Sequence, residues 1–503
     1  MNSVRTNLVL KSMVFMLLMV LATGSVLAQE SPFPIPEPNQ PVGLTQTSDA
    51  VADGYILLSI IQSKDILLMA NDGRIVNKWG SEYYAGQAAY LLANGNLLRT
   101  SSLLNAFGPS GQWGYVNGRL EEYTWDRELV WSFELATDRL VGHHDIAPMP
   151  NGHVLMVYFE KFTPEEAVAA GRNPELISAE NQLWGEAILE VDPATNQIVW
   201  EWHVWDHLIQ DFDPAVANYG VVADHPELVN INYMDPEEQP NADWLHVNSV
   251  QYNAALDQIV LSTRTYSEIW VIDHGITTEA ARGEAGDLLF RWGNPATYGV
   301  GTPAERPLYF QHDPNWIPEG YPGAGNMLVF DNGSPLRPYS RVVEIALPTD
   351  ESGAYIMNPG AATTPEIVWE YRTDPPEDFY SALISGAQRQ PNGNTLITDG
   401  LHGRIFEVTP AGEIVWEYYM PPATWVFRSE RYDLAGFDFD LSGDLGFAGG
   451  TIWSATCQDG TAQNLYEYLI TQGPTMFEFM DQYGDNAQSQ WATEACTEHG
   501  GLG

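Results

Sequence analysis

Histidines recur at one position of a repeated segment in this 503-residue chain. The segments that carry them are GHHDIAPMPNG, DWLHVNSVQY and FQHDPNW, and a fourth copy, GAQRQPNG, has Gln and Arg instead. The polar residues at this position are His143, His144, Asp145, His246, Asn248, Ser249, His312, Asp313, Gln388 and Arg389. Imidazoles grouped with arginine suit a small oxyanion, and imidazoles alone suit zinc or copper. The alternative is that these histidines are structural and hold loops.

Two arginines follow the same repeats. Arg264 lies in STRTYSEIW, after the second histidine segment, and Arg337 follows the turn FDNGSPLRPYS, after the third. The planar guanidinium binds an oxyanion through two hydrogen bonds and stays charged at any working pH. The alternative for each arginine is a surface ion pair in a very acidic protein.

The repeat itself consists of a turn, a short apolar strand, another turn and a β-rich strand ending in Trp. Six closing halves end at Trp79, Trp131, Trp200, Trp292, Trp369 and Trp416, and five opening halves are recognisable. Asn-Gly pairs such as Asn94-Gly95 favour tight hairpins, because both central positions need positive φ. Six repeats of several short strands predict an all-β fold, a six-bladed β-propeller over residues 45–425.

In such a fold, equivalent positions of successive repeats converge around the central channel, so the histidine segments should face one another. The recurrent Trp is interpreted as core that packs blade against blade. A quinoprotein dehydrogenase also uses Trp-bearing blades, but the chain has no vicinal cysteine pair to support that reading.

The amino end predicts export. Arg5 and Lys11 precede an apolar run, 13–21, and small residues at Val26 and Ala28 suit cleavage before Gln29, so residues 1–28 read as a signal peptide. The alternative is an uncleaved anchor. The mature protein is expected to be periplasmic or secreted and not inserted in a membrane.

The net charge bears on the possible partners, and the two cysteines lie in a C-terminal segment outside the repeats. The formal net charge of −44 argues against nucleic acid as a partner. Residues 426–503 do not repeat and form a C-terminal extension, which either closes the ring or covers one face. Cys457 and Cys496 lie in this extension, and an oxidising compartment would allow them to pair.

These segments together resemble the bacterial arylsulfotransferase family. DWLHVNSVQYNAALDQIVLSTRTYSEIWVID, FQHDPNWIP with LVFDNG and the following Arg, and GAQRQPNGNTLITDGLHGRIFEV occur in order, within a similarity that covers roughly 50–420. The resemblance implies a six-bladed propeller that moves a sulfuryl group from a phenolic sulfate ester to a phenolic acceptor. It implies a sulfohistidine intermediate and no nucleotide donor or other cofactor.

Matched by position, His246, His312 and Arg337 would steady the sulfate oxygens. The nucleophilic histidine should come from a later blade, but GAQRQPNG holds none, and His402 is the histidine left in the repeats beyond His312. Either His402 is the nucleophile or the reaction has been lost or moved in this chain. His144 and Asp145 could orient the nucleophile or join a metal site, and orientation is preferred.

The resulting assignment separates two groups of residues. The catalytic residues are expected to be His402, His246, His312 and Arg337. The substrate-binding residues are expected to be His144, Asp145, Asn248, Arg264, Gln388 and Arg389, and no metal ligand is assigned. Two other classes stay open: a non-catalytic propeller that binds a protein or glycan, and a metal-dependent enzyme acting on acidic or sulfated substrates.

Overall fold

The computed structural model describes residues 41–446 except 62, 104–116, 236–238 and 422–423, together with 454–456, 462–464 and Cys496. The predicted signal peptide, residues 1–28, lies outside the described residues. So does Cys457, whereas Cys496 is buried and disulfide-bonded.

Strands dominate the described chain. In chain order they are β1 (Gly43–Thr47), β2 (Tyr55–Ile60), β3 (Asp65–Ala70), β4 (Ile75–Gly80), β5 (Ala85–Leu91), β6 (Leu97–Ser101), β7 (Arg119–Tyr123), β8 (Leu129–Glu134), β9 (Leu140–Pro148), β10 (Val154–Phe162), β11 (Leu183–Asp192), β12 (Gln197–His203), β13 (Leu208–Ile209), β14 (Val229–Asn230), β15 (Val247–Asn253), β16 (Gln258–Thr263), β17 (Glu268–Asp273), β18 (Phe290–Trp292), β19 (His312–Trp316), β20 (Met327–Asp331), β21 (Arg341–Ala346), β22 (Glu366–Tyr371), β23 (Gly386–Arg389), β24 (Thr395–Asp399), β25 (Arg404–Val408), β26 (Ile414–Tyr419), β27 (Val426–Tyr432), β28 (Ser454–Thr456) and β29 (Ala462–Asn464).

Helices are short and lie between strands. The α-helices are α1 (Pro164–Ala169) and α2 (Thr278–Ala281), and the 3₁₀ turns are Pro174–Leu176, Val204–His207, Val222–Asp224, Glu284–Gly286, Pro295–Tyr298, Pro303–Glu305 and Pro376–Asp378. Helix α1 begins with a capping box in which Thr163 and Glu166 satisfy each other's backbone N–H groups.

The strands form six antiparallel blades, which confirms the predicted six-bladed β-propeller. In order around the ring the sheets are β27-β2-β3-β4, β5-β6-β7-β8, β9-β10-β11-β12, β15-β16-β17-β18, β19-β20-β21-β22 and β23-β24-β25-β26 with β1. We number them blades 1 to 6 and call the strand nearest the axis the first strand of its blade. The small pair β13-β14 lies in the connection between blades 3 and 4.

The ring is closed by strands from the two ends of the described chain. Strand β27 pairs with β2 and supplies the first strand of blade 1, which is why the sequence shows only five opening halves. Strand β1 adds to the outer edge of blade 6 by pairing with β26. The segment 426–432, which the sequence analysis assigned to the C-terminal extension, is therefore part of the propeller.

The residues after β27 cover the outside of the first two blades. Phe439 stacks on Trp125 with ring centroids 3.7 Å apart, and Arg74 Nη1 donates to the carbonyl oxygen of Gly443 at 2.9 Å. The beginning of the extension therefore packs on the propeller, beside its role in closing the ring.

The recurrent Trp lies in the fourth strand of every blade and joins that blade to the next. The indole N–H donates to the turn between the third and fourth strands of the following blade in five of the six cases. These bonds are Trp79 to Thr124 O, Trp131 to Asn196 Oδ1, Trp200 to Ile276 O, Trp369 to Pro410 O and Trp416 to Asn71 O, at 2.8 to 2.9 Å. The packing interpretation holds, with an added hydrogen bond between blades.

Candidate active site

Six of the predicted residues lie at one rim of the propeller. Three are histidines on or beside the first strands of their blades, and three lie in loops after second strands. Strand direction alternates within a blade, so the start of the first strand and the loop between the second and third strands lie at the same rim. His246 and His312 lie at or beside the start of the first strands of blades 4 and 5, whereas His144 lies in the middle of β9, the first strand of blade 3, where the strand pairing shifts register. Arg264, Arg337 and His402 lie in the loops after the second strands of blades 4, 5 and 6.

The histidines of three blades come together at this rim. The rings of His144 and His246 meet edge to face, with centroids 4.4 Å apart. The charges of His246, His312 and Arg264 all act on His144, and those of Arg264 and His246 act on His312. We call His144, His246, His312 and Arg264 the histidine-arginine group.

The backbone enters these strands in an unusual conformation. His144, His246 and Asp313 have φ of 50°, 54° and 55°, and the strand pairing of blades 3 and 5 shifts register at these points. Left-handed backbone at residues other than glycine costs about 1 to 3 kcal/mol each and is concentrated at functional sites. The bulges bring histidines into the group that a regular strand would direct elsewhere.

Burial beside a fixed cation keeps two of these histidines neutral. Burial, with repulsion from Arg264, lowers the pKa of His312 to about 3. Burial and the neighbouring His246 lower the pKa of His144 well below its usual value. Both imidazoles therefore carry a lone pair at neutral pH, which makes them nucleophiles or proton acceptors instead of cations.

The tautomer of His312 is fixed by two acceptors. Its Nδ1 lies 2.7 Å from Asn332 Oδ1 and 3.1 Å from the carbonyl oxygen of Phe310. The orientation of the Asn332 amide follows because its Nδ2 donates to the carbonyl oxygens of Ser381 and Ile384. Nδ1 of His312 must therefore carry the hydrogen, and Nε2 carries the lone pair.

His246 has a carboxylate partner. Its Nδ1 lies 2.5 Å from Asp243 Oδ2, three residues earlier in the chain, and one fifth of its side chain is exposed. A carboxylate at Nδ1 orients the imidazole ring of His246.

The arginines have aromatic neighbours. The guanidinium of Arg264 lies 4.6 Å from the Phe310 ring centroid, and that of Arg337 lies between Tyr309 and Tyr339. Arg337 Nη2 also bonds Asp331 Oδ1 at 2.5 Å. Burial raises the pKa of Tyr380, and the charges of Arg264 and Arg337 oppose that rise. Tyr380 therefore lies within electrostatic reach of both arginines.

Three of the predicted substrate-binding residues make contacts within the scaffold. Asp145 Oδ1 accepts from Arg428 Nη2 at 3.0 Å, and its Oδ2 accepts from the backbone N–H of Val250 at 3.1 Å. Gln388 exchanges hydrogen bonds with the backbone of Arg431 on β27. Arg389 pairs with Glu344 of blade 5.

Two physical reasons place Gln388 and Arg389 away from the histidines. They lie at the far end of β23, because the strand begins only at Gly386. The left-handed position that corresponds to His144 is filled in blade 6 by Ile384 and Ser385, with φ of 49° and 84°. The alignment of the repeats from sequence alone is therefore out of register by several residues in blade 6.

Asn248 supports the group indirectly. It is fully buried, and its Nδ2 donates to the carbonyl oxygen of Gln311, the residue before His312, at 2.9 Å. Its contact therefore ties blade 4 to the backbone that carries His312.

His402 has a different environment from the other histidines. Its Nδ1 lies 2.8 Å from Asp399 Oδ1 within the same hairpin of blade 6. Attraction to Asp399 raises its pKa, while burial and Arg404 oppose the rise. Asp399 and Arg404, which act on the charge of His402, belong to blade 6, whereas residues of blades 3 to 5 act on His144 and His312.

Some residues of the site were not singled out from the sequence. Asp243 precedes His246 by three residues in DWLH, and Asn332 lies in the turn FDNG, so both were visible in the motifs. Glu186 lies in the buried strand LWGEAILEVD, and an acid in a buried strand is a signal for a partner. The partner of Glu186 is His143.

Among the residues that the structure describes, no group of three or more His, Cys, Asp or Glu is arranged to hold a metal ion. Within that same part of the chain, no helix is both long and apolar enough to cross a bilayer.

Solved structures match this chain at low sequence identity and with TM-scores below 0.5. A protein of unknown function from Bacteroides caccae has a TM-score of 0.41 at 12% identity, over 75% of this chain and 98% of that one. The Cps50 (Swd1) β-propeller domain of Myceliophteria thermophila has a TM-score of 0.38 at 9% identity, over 76% and 90%.

Sequence comparison gives a narrower result. Arylsulfate sulfotransferase AssT of Escherichia coli O6:H1 is 29% identical over 263 residues. That match spans 44% of this chain and 40% of the length of AssT. The family model "Arylsulfotransferase (ASST)" matches residues 92–419, which include all six residues of the rim. The chain belongs to the arylsulfotransferase family.

Proposed function

We propose that this protein transfers a sulfuryl group from a phenolic sulfate ester to a phenolic acceptor, with His312 as the nucleophile. The observation that carries the proposal is a buried imidazole, neutral and fixed in one tautomer, beside Arg264 and His246. Membership of the family supports the class of reaction.

His312 fits the nucleophile better than His402. The hydrogen on Nδ1 is held by Asn332 Oδ1, so the Nε2 lone pair is available at any pH well above 3. His402 is bonded to a carboxylate that raises its pKa, which favours the protonated, non-nucleophilic form. We therefore reassign the nucleophile to blade 5.

Arg264, Arg337 and His246 are suited to bind the oxygens of the sulfate group. Sulfuryl transfer requires positive charge or N–H donors at the equatorial oxygens and an in-line nucleophile. Arg264 offers a planar cation next to His312, and Arg337 adds a second cation near Tyr380. His246, paired with Asp243, can supply a third donor. These cations oppose the repulsion that a chain of net charge −44 exerts on an anion.

The reaction then has two balanced halves. His312 Nε2 forms a bond to sulfur while the bond from sulfur to the aryl oxygen breaks, and the leaving aryl oxide takes a proton from a histidine of the group. In the second half a phenolic acceptor returns a proton to that histidine while its oxygen attacks sulfur, and the bond from sulfur to His312 Nε2 breaks, which restores neutral His312. Because the donor is the ester itself, no nucleotide donor is needed, and ping-pong kinetics are expected.

Export is part of the proposal. The charged and apolar pattern of residues 1–28 supports removal of that segment and action outside the cytoplasm. Sequencing of the amino terminus of protein isolated from an expressing bacterium would test it; a mature chain beginning at Gln29 is expected.

The first test is release of nitrophenol from 4-nitrophenyl sulfate by the purified mature protein, with and without phenol and with a chelator present. Phenol-dependent release that survives chelation is expected. His312→Ala should lower turnover by at least about a thousandfold, whereas His402→Ala should retain it within about tenfold. Mass spectrometry of enzyme quenched without acceptor should find one sulfuryl group on a His312 peptide.

Each arm of this test can contradict the proposal. A sequential kinetic pattern without a covalent histidine would refute the intermediate. Loss of activity in His402→Ala, with His312→Ala active, would return the nucleophile to blade 6. Inhibition by the chelator would favour a metal-dependent enzyme, and unchanged ligand binding in all the variants would favour a scaffold.

A further inference from the structure

A chain of buried hydrogen bonds leads from His144 away from the channel. His144 Nδ1 lies 2.7 Å from His143 Nδ1, and His143 Nε2 lies 2.9 Å from Glu186 Oε2. The other carboxyl oxygen, Glu186 Oε1, accepts from the backbone N–H of Val247 at 2.8 Å. His143 and Glu186 are both 1% exposed, so no solvent reaches the middle of the chain.

Neighbouring side chains fix the positions of the residues in this row of hydrogen bonds. The His143 ring stacks on Phe159 with centroids 3.5 Å apart and an interplanar angle of 3°. Val247 follows His246 directly, so the Glu186 carboxyl also fixes the strand that carries the next histidine. Rotation of any of the three links would break a buried hydrogen bond, which costs about 1 to 3 kcal/mol.

The row of hydrogen bonds from His144 to Glu186 can carry its hydrogens in two arrangements. With Glu186 ionised, His143 donates from Nε2 and accepts at Nδ1 from His144, whose Nε2 then bears a lone pair. With Glu186 neutral, the carboxyl donates to His143 Nε2, His143 donates from Nδ1 to His144, and His144 Nε2 bears a hydrogen. The two arrangements differ by one proton, gained or lost at His144 Nε2.

We propose that Glu186 and His143 are positioning residues that relay a proton through His144, giving it to the leaving aryl oxygen and recovering it from the acceptor phenol. The inference rests on the proposed function and assigns the acid and base of that reaction. An isolated neutral imidazole is a very weak acid, whereas His144 can lose its Nε2 proton while it gains one at Nδ1. The proton that leaves is in effect that of the Glu186 carboxyl.

The proton balance closes over one cycle. In the first half, His144 Nε2 protonates the aryl oxide, His143 passes its Nδ1 hydrogen to His144, and Glu186 passes its hydrogen to His143 Nε2. In the second half, the acceptor phenol gives its proton to His144 Nε2, and the same steps reverse. The enzyme returns to its starting state, and no outside acid or base is consumed.

The charges around the chain favour the neutral carboxyl as the resting state. Burial, with repulsion from Asp243, raises the pKa of Glu186 well above its usual value. His246, His312 and Arg264 face His144 from blades 4 and 5 and disfavour an imidazolium there. The proton is thus stored at the buried end, away from the cations that bind sulfate.

The test compares leaving groups in Glu186→Gln, since glutamine can keep hydrogen bonds to Val247 and His143 but cannot release a proton. Phenyl sulfate has a basic leaving group that needs an acid, whereas 4-nitrophenyl sulfate does not. We expect kcat/KM to fall about a hundredfold for phenyl sulfate and less than about threefold for 4-nitrophenyl sulfate. Equal losses for both donors would show a structural role and overturn the relay.

The matched control is Glu190→Gln. Glu190 lies on the same strand, β11, and bonds His153 and His274, but near the opposite rim. Its substitution should leave the ratio of the two donors unchanged. A changed ratio in this control would mean that the ratio reports general loosening of blade 3, which would overturn the relay.

A second measurement uses the unmodified protein, so the proposal stays testable if Glu186→Gln does not fold. In mixtures of light and heavy water, turnover of phenyl sulfate should show a curved dependence on deuterium fraction, because several protons move together. A linear dependence would indicate a single proton and refute the relay. If the unmodified protein transfers sulfate from neither donor, the proposed function fails first, which separates that failure from failure of the relay.

Discussion

The pKa of His312 ties the chemistry of the site to the stability of the fold. A histidine that remains neutral down to about pH 3 is available as a nucleophile over the whole physiological range. The unfolded chain, however, takes up a proton there near pH 6.5. The folded protein does not bind that proton, so its free energy of unfolding decreases as the pH falls below 6.5.

This sign gives a prediction for His312→Gln. Between pH 7 and pH 5 the free energy of unfolding of the unmodified protein should fall by about 2 kcal/mol more than that of the variant. Denaturant unfolding at several pH values measures the difference. Parallel curves for the two proteins would show that His312 titrates normally in the folded state.

His402→Gln supplies a control of opposite sign. Its pKa is raised by Asp399, so its contribution to stability is present at low pH and is lost as the pH rises through the folded-state pKa. As the pH falls, the unmodified protein should become more stable relative to His402→Gln and less stable relative to His312→Gln.

Sequence reasoning found the histidines of the rim but not what surrounds them. The repeats indicated His144, His246 and His312 because each lies in the opening half of a repeat, and Arg264 because it follows the apolar strand of the repeat that holds His246. Glu186 could not be assigned in this way, since its contact with His143 joins the first and third strands of blade 3, which are not adjacent in the sheet. Arg389 was misplaced because the left-handed residues Ile384 and Ser385, just before β23, occupy the position that corresponds to His144.

At the scale of elements, the fourth strand of each blade does more than fill the core. Trp416 is fully buried, and its indole N–H reaches Asn71 O across the junction between blade 6 and blade 1. That junction is the one at which the ring closes, so this hydrogen bond joins segments 345 residues apart in sequence. The Trp motif could be recognised in the sequence, but the direction of its N–H could not.

Trp416→Phe should therefore destabilise the protein by about 2 to 3 kcal/mol, through a lost hydrogen bond and a small cavity. The half-buried Trp369, whose indole N–H bonds Pro410 O, offers the matched change, with an expected loss of about 1 kcal/mol. Urea unfolding midpoints measure both. A larger loss at Trp369 would indicate that the closing junction is not the sensitive one.

At the scale of the whole molecule, one arginine joins four blades across the channel. Arg428, on β27 of blade 1, donates to Asp145 of blade 3 and Asp313 of blade 5, and it also bonds Tyr90 of blade 2. All four side chains are buried. Burial, with Arg428 opposing, raises the pKa of Asp313 to about 7.

Arg428→Met should cost about 3 to 5 kcal/mol at pH 8, because it leaves buried carboxyl groups without their cation. The loss should be smaller at pH 5, where Asp313 can take up a proton. Arg139→Met, which removes partly exposed ion pairs to Glu160 and Glu166, should cost less than about 1 kcal/mol. Equal losses at both pH values would show that Asp313 does not titrate in this range.

The closing strand also sets the order in which the chain can become functional. During synthesis, blades 2 to 6 can form before β27 leaves the ribosome, but blade 1 then lacks its axial strand and the channel lacks Arg428. Asp145 and Asp313 flank the residues of the rim, so the support for His144 and His312 is completed last. A chain that ends before residue 426 would lack the cation that joins Asp145 to Asp313, so we expect it to lack the proposed sulfuryl transfer as well.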